Sequence, residues 1–151
     1  MISYETISIF PILFCLTLCS YLDLKHQEIE NYWCYLIVFL AFGLRIYYSI
    51  YLQDIQFFVD GFLGFCAAYL LGLVLVRMDK WGEADKIILS GIGMFLGFGY
   101  ALPSPLLSYI IFLCLIGMFY SMAYLFFVKQ SKTTPFVPAF LLTYIFYLYI
   151  I

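Results

Sequence analysis

Long apolar segments alternate with short polar ones along the whole chain. Six apolar segments are long enough to cross a bilayer as helices, which takes about 20 residues. The short alternating runs of a membrane β-barrel are absent from the sequence. Because backbone groups in lipid must hydrogen-bond within their own segment, the pattern predicts an all-α membrane protein with six transmembrane helices. Within a few residues, the segments are Ser3–Leu22, Tyr32–Leu52, Phe57–Val76, Asp85–Leu102, Pro105–Val128 and Pro135–Ile151.

Composition supports a membrane protein and excludes several other classes. Of the 151 residues, 66% are hydrophobic and 11% are charged, whereas a soluble domain is under half apolar and about a quarter charged. A water-soluble fold of this length could not bury so much apolar surface. The net charge is −2 without a basic block, so no nucleic-acid partner is expected. The first segment lacks a basic start and is predicted to be a retained span. Residues 1–151 are expected to form a single domain.

The charges in the connecting loops predict the orientation. The first, third and fifth loops carry the basic residues, and the second and fourth loops have no Lys or Arg. Basic loops stay on the cytoplasmic side, so both termini are predicted to face outward. Arg45 lies within a span near its outer end, where it is expected to extend toward the interface. The basic loop residues are Lys25, His26, Arg77, Lys80, Lys86, Lys129 and Lys132.

Two aspartates fall at the same predicted membrane face. Asp23 ends the first apolar segment and Asp85 begins the fourth. Taken singly, Asp23 could be a solvated charge at a helix end, and Asp85 could be stabilised there by the helix dipole alone. Two carboxylates held close together share one proton. The ionised member can then activate water while the protonated member donates to a substrate carbonyl. We therefore expect the two side chains to meet.

The remaining polar and sulfur-containing residues suggest less chemistry. Five cysteines lie inside apolar segments without a Cys-x-x-Cys pair, which is typical of packing. A zinc site needs closely grouped ligands, which the single histidine, His26, does not supply, so no metal site is expected. No cofactor is expected either. Asp79 and Glu83 are interpreted as solvated loop charges. Asp60, near the outer end of the third span, is interpreted as a packing or interfacial residue.

Small residues recur along one face of the fourth segment. Ser90, Gly93 and Gly97 are spaced so that they share a helix face, and the two glycines form a Gly-x-x-x-Gly pair. Such faces allow close helix–helix packing in lipid. We expect tight packing here, which would also hold Asp85 against a neighbouring helix.

Three short motifs in this order resemble those of the type IV prepilin and preflagellin peptidases. Asp23–Lys25 with Ile29–Asn31 resembles the family's first-loop signature, in which an aspartate is followed by Ile-Pro-Asn. Gly82–Asp85 resembles its Gly-x-Gly-Asp signature, and Pro135–Pro138 resembles its Pro-Phe-Gly-Pro stretch. The order, loop side and six-span layout match over nearly the whole chain.

Four positions depart from the family pattern. Glu30 stands in place of the proline, and Ala84 and Val137 stand in place of glycines. The lysine expected two positions after the second aspartate is adjacent to it, as Lys86. Alanine keeps the site small but reaches a positive φ only at a cost. Activity therefore depends on whether the turn before Asp85 needs such a conformation.

The resemblance implies an aspartic endopeptidase of the cytoplasmic membrane. Such an enzyme removes the basic leader of prepilin-like precursors (pilins, pseudopilins or archaellins) at the cytoplasmic face. The catalytic pair is then Asp23 and Asp85, with Gly82 and Ala84 shaping the turn. No methyltransferase activity is implied, since the paired Cys-x-x-Cys insert is missing. Further residues interpreted as substrate contacts are Lys25, Glu28, Asn31 and Lys86.

Two other functions stay open at this point. An inactive relative could bind prepilin-like proteins without cutting them, which the motif departures motivate. A transporter or channel subunit would predict charges deep in several spans, and mainly Arg45 fits that pattern, with Asp60 near an end.

Overall fold

The chain folds into helices alone over the residues that the computed structural model describes, which are 4–26, 30–78, 81–99, 105–127 and 135–150. This confirms the all-α prediction for those ranges. The helices are α1 (Tyr4–His26), α2 (Asn31–Leu52), α3 (Ile55–Arg77), α4 (Glu83–Leu96), α5 (Pro105–Phe127) and α6 (Val137–Ile150).

Four of these helices are long and apolar enough to cross a membrane. They contain the stretches Ile9–His26, Asn31–Leu52, Ile55–Arg77 and Pro105–Phe126. The other two, α4 and α6, have 14 residues each, or about 21 Å at 1.5 Å per residue. The length and composition of the described helices therefore support a membrane protein with four candidate spans.

Helix α4 lies at the centre of the bundle. Every residue from Asp85 to Phe95 is buried, because α4 packs against α2, α3 and α5. On the other side, α1 packs against α2 and α6, and α6 packs against α5. The start of α4 lies near the start of α6, where the Trp81 and Phe136 rings pack, and within electrostatic range of the end of α1.

Helix α4 ends at Leu96, so its predicted extension to Leu102 is wrong for residues 97–99. Gly97 and Gly99 have φ values of 79° and 71°, which lie in the region that glycine adopts without strain. Asp60 on α3 holds this turn, because its Oδ1 accepts from the Gly99 N–H at 2.7 Å. Its carbonyl oxygen accepts from the Phe98 N–H at 3.2 Å.

Arg45 is buried and caps the end of α4, so the expectation that it extends toward the interface is wrong. Its Nε donates to the Met94 carbonyl at 3.0 Å, and its Nη2 donates to the Phe95 carbonyl at 2.8 Å. Nη2 also lies 3.8 Å from Asp60 Oδ2. The last carbonyls of a helix lack partners within the helix and carry negative partial charge. Arg45 supplies both the missing hydrogen-bond donors and a positive charge.

The predicted small-residue face of α4 packs tightly, and its partner is α3. A Cβ added at Gly93 would lie 2.5 Å from the Gly64 carbonyl oxygen and 2.7 Å from Ala68 Cβ. Sequence reasoning did not identify the matching face of α3. That face is formed by four buried small residues at helical spacing, Gly61, Gly64, Ala68 and Gly72.

We expect Gly93→Ala to lower the melting temperature in detergent, because the new methyl group would collide with the backbone of α3. Gly43→Ala on α2 is the matched control, since no atom lies within 4 Å of a Cβ added there. Alanine is the better helix former by about 1 kcal/mol, so the control should melt no lower than the parent. Equal melting shifts for the two variants would contradict the α3–α4 contact.

Candidate active site

Asp23 is a buried residue in the last turn of α1. The helix continues through it to His26, beyond the predicted end at Leu22. The Asp23 side chain is only 7% exposed, which rules out a solvated charge at a helix end. Its Oδ2 accepts a hydrogen bond from the N–H of Val137 at 2.9 Å. The first residue of α6 thus anchors the carboxylate, using an N–H that has no partner within its own helix.

Asp85 is buried in the first turn of α4. It is 9% exposed and occupies the third position after Gly82, the residue that caps the helix. Its Oδ2 accepts from the Gly82 N–H at 3.0 Å, which is one half of a capping box. The positive end of the α4 dipole also favours a carboxylate here.

The two aspartates share one buried environment. Their carboxylates are close enough for the charge of Asp23 to act on Asp85. Both charges also act on the thiol of Cys34, a fully buried residue of α2. The charges at the end of α1 and the start of α4 therefore act on each other, and α2 contributes Cys34 to the same cluster. Direct contact between the two aspartate side chains stays a prediction.

Aromatic packing connects the starts of α4 and α6. The ring of Trp81, just before α4, lies 5.5 Å from the Phe136 ring and 5.6 Å from the Phe140 ring, centroid to centroid. Phe136 also rests on α5, since a Cβ added at Gly117 would lie 2.7 Å from its Cζ. This cluster fixes the two helix starts whose N–H groups bond to the aspartates.

Three of the motif departures, at Glu30, Ala84 and Val137, lie where the backbone has a conformation that most residue types adopt. Glu30 has φ −65° and ψ 129°, and that φ is the value to which proline is fixed. Ala84 and Val137 lie in the first turns of α4 and α6. Among the described residues, the one non-glycine with positive φ is Gln53. No departure therefore falls where glycine's or proline's own geometry is needed.

The predicted substrate contacts in the first loop are only partly described. Lys25 is exposed at the end of α1, with its Nζ 5.8 Å from the centroid of the Tyr21 ring. Asn31 is exposed at the first position of α2. Glu28 lies outside the described residues, as do Asp79 and Lys80 in the third loop.

Lys86 faces α3 rather than the aspartates. Its side chain is buried and its ammonium pairs with Glu83, one turn earlier on α4. The Nζ also lies 5.1 Å from the centroid of the Tyr69 ring, a favourable cation–π contact. Glu83 is therefore the exposed first residue of α4 and an ion-pair partner, so its interpretation as a solvated loop charge is wrong.

Sequence reasoning missed three side chains near Asp23. The thiols of Cys19 and Cys34 are hydrogen-bonded to each other, and the Asp23 charge acts on both. The spacing held a signal for Cys19, which lies one turn before Asp23 on the same helix face. The third residue is Tyr120 of α5, on which the Asp23 charge also acts. No signal marked it, because α5 is rich in aromatic residues throughout. No group of three or more metal-ligating side chains occurs among the described residues.

One comparison with known proteins finds a match. The model of the type IV leader peptidase family matches residues 10–146. The matched region contains Asp23, Asp85 and the Pro135–Pro138 motif. No curated protein and no solved structure matches the chain.

We expect Gly82→Ala to be tolerated, although Gly82 is a motif residue. Its φ of −80° suits any residue, and an added Cβ would meet Asp85 Oδ2 at 3.6 Å, an ordinary contact. The stability lost should be at most about 1 kcal/mol, because alanine is a poorer cap than glycine. Gly97→Ala is the contrasting variant, since its φ of 79° strains alanine. Thermal melting in detergent should rank Gly97→Ala well below Gly82→Ala, and the reverse order would contradict this geometry.

Proposed function

The chain belongs to the type IV leader peptidase family, and we propose that it is an aspartic endopeptidase that removes the basic leader of prepilin-like precursors. The observation that carries the proposal is the pair of buried carboxylates within electrostatic range of each other. Two ionised acids buried close together repel each other, and sharing one proton lowers that free-energy cost. A shared proton is what acid–base hydrolysis needs.

The reaction follows from the way in which the carboxylates are held. In each aspartate Oδ2 is bonded to a backbone N–H, and within the described part of the chain this leaves Oδ1 for water or substrate. The ionised member takes a proton from water, and the resulting hydroxide attacks the scissile carbonyl carbon. The protonated member donates to the carbonyl oxygen. Proton transfer to the leaving amine then breaks the peptide bond. Positioned acid–base groups of this kind contribute about 10²–10⁴ in rate.

The proposed substrate is a precursor whose basic leader lies in the cytoplasm and whose apolar segment lies in the membrane. Exposed Lys25 and Asn31, together with Glu28, are proposed to contact it beside Asp23. Lys86 is proposed as a weaker contact, because its charge is already paired with Glu83. The motif departures would favour an inactive binder only if they distorted the site. The backbone is undistorted at Glu30, Ala84 and Val137, so the departures do not favour a binder.

In the membrane, the proposal places six spans in the cytoplasmic membrane with both termini outside. The start of α4 and the end of α1 then lie at the cytoplasmic face. The short α4 is shielded from lipid by α2, α3 and α5, so it need not match the full bilayer thickness.

Reporter fusions test this orientation. A fusion after His26 should report the cytoplasm, because the first loop is basic, and a fusion after Gln53 should report the outside. A reporter that is active only in the cytoplasm should give a signal after His26 and none after Gln53. A reporter that is active only outside should give the reverse. The same location for both fusions would contradict the six-span arrangement.

We expect Asp23→Asn and Asp85→Asn each to lower leader removal by about 10²–10⁴, because neither amide can carry the shared proton. Both variants keep an oxygen that can accept the backbone N–H, so melting temperatures should change little. Asp54→Asn is the control, since Asp54 is an exposed cap of α3 that accepts from the Gln56 N–H at 2.9 Å. Cleavage is measured by mass spectrometry of a co-expressed pilin-like precursor. Wild-type cleavage rates in either site variant would refute the pair, and a full-length precursor with the wild-type protein would indicate a binder.

A further inference from the structure

Tyr120 on α5 has a buried hydroxyl group that the packing of the helix does not explain. The oxygen has no hydrogen-bond partner among the described residues. A buried hydroxyl without a partner costs free energy, and phenylalanine would fill the same space without that cost. The ring itself packs against the core and lies 6.1 Å from the Tyr124 ring, centroid to centroid. Packing therefore explains the aromatic ring but not the presence of its hydroxyl group.

The nearby helices place Tyr120 within electrostatic range of Asp23. Gly117 lies one turn before Tyr120 on the same face of α5, and it is in contact with Phe136. The next residue, Val137, donates its N–H to Asp23. The α5 face that carries Tyr120 is therefore turned toward the point where α1 meets the start of α6. The charge of Asp23 also acts on Tyr120 across this gap.

We propose that Tyr120 is a positioning residue that donates a hydrogen bond from its hydroxyl to the ionised Asp23 carboxylate. Catalytic hydrogen bonds are often long in a substrate-free site and shorten with small movements of side chains. The donor would hold the carboxylate in place together with the backbone N–H of Val137. It would also favour the charged form of Asp23 over the neutral form.

This donor would distinguish the roles of the two aspartates. Among the described residues, the titratable groups on which the Asp23 charge acts are Cys19 on α1, Cys34 on α2, Asp85 on α4 and Tyr120 on α5. In the neutral state, each thiol and the phenol can donate, but Cys19 and Cys34 already bond to each other. Tyr120 then makes Asp23 the base that activates water and leaves the proton on Asp85. This assignment of roles rests on the proposed function, whereas the hydrogen bond itself does not.

The test compares Tyr120→Phe with the parent protein and with Tyr124→Phe, a ring on the next turn of the same helix. Removing the donor destabilises the ionised base, so its pKa rises and the acid limb of the kcat–pH profile moves to higher pH. We expect a shift of about one pH unit and a fall in kcat of about tenfold near neutral pH, with KM unchanged. Tyr124→Phe should leave the profile unchanged. An unshifted acid limb in Tyr120→Phe would overturn the inference.

A second measurement does not depend on cleavage. Infrared titration follows the carbonyl band of the protonated Asp23 carboxyl, which is assigned by its loss in Asp23→Asn. In Tyr120→Phe the midpoint of this band should move up by about one pH unit, and an unmoved midpoint would overturn the inference. If the parent protein leaves the precursor uncut, the proposed function fails, while this titration still decides the role of Tyr120. Should Tyr120→Phe melt early, 3-fluorotyrosine at position 120 replaces it. The stronger donor should move the midpoint down, and an unchanged midpoint would count against the hydrogen bond.

Discussion

Two carboxylates buried in one membrane protein must be held by hydrogen bonds, and the fold meets this need with the starts of two helices. Val137 at the start of α6 donates to Asp23, and Gly82 at the start of α4 donates to Asp85. The first N–H groups of a helix have no partner within it, so they can serve another group without breaking the helix. Packing of Trp81 on Phe136 holds the two starts together. The site therefore depends on where α4 and α6 begin.

The position of α4 is fixed at both ends and along its length. Small residues bring its backbone against α3 at Gly64 and Gly93. At the far end, Arg45 bonds to the last carbonyls, and Asp60 holds the turn that follows. These contacts lie in the part of the bundle opposite the aspartates. A helix enclosed by others needs hydrogen-bond partners for its polar ends. This need explains why a chain with few charges keeps the Arg45–Asp60 pair, in which only Arg45 is buried, far from the aspartates.

The motif departures show what the family pattern requires physically at this site. The site needs three backbone features. They are an extended residue before α2, a cap before α4 and a backbone N–H at the start of α6. Glu30 and Val137 provide the first and the third without proline or glycine. Ala84 lies inside the first helical turn, where a glycine would add only flexibility. The site thus depends on backbone conformation and N–H groups, which most residue types can supply.

The sequence by itself determined the all-α membrane class and the close packing of α4, because apolar length and small-residue spacing are local properties of the chain. It also singled out Asp23 and Asp85 as candidate residues. The sequence also revealed the motif at 135–138. It did not reveal what the motif does, because the Val137 N–H donates to Asp23, which lies 114 positions away. The end of α4 at Leu96, the cap formed by Arg45 and the approach of Cys34 and Tyr120 to Asp23 were decided only by tertiary structure. Each depends on which faces of distant helices meet, and aromatic-rich segments such as α5 carry no periodic signal that would predict it.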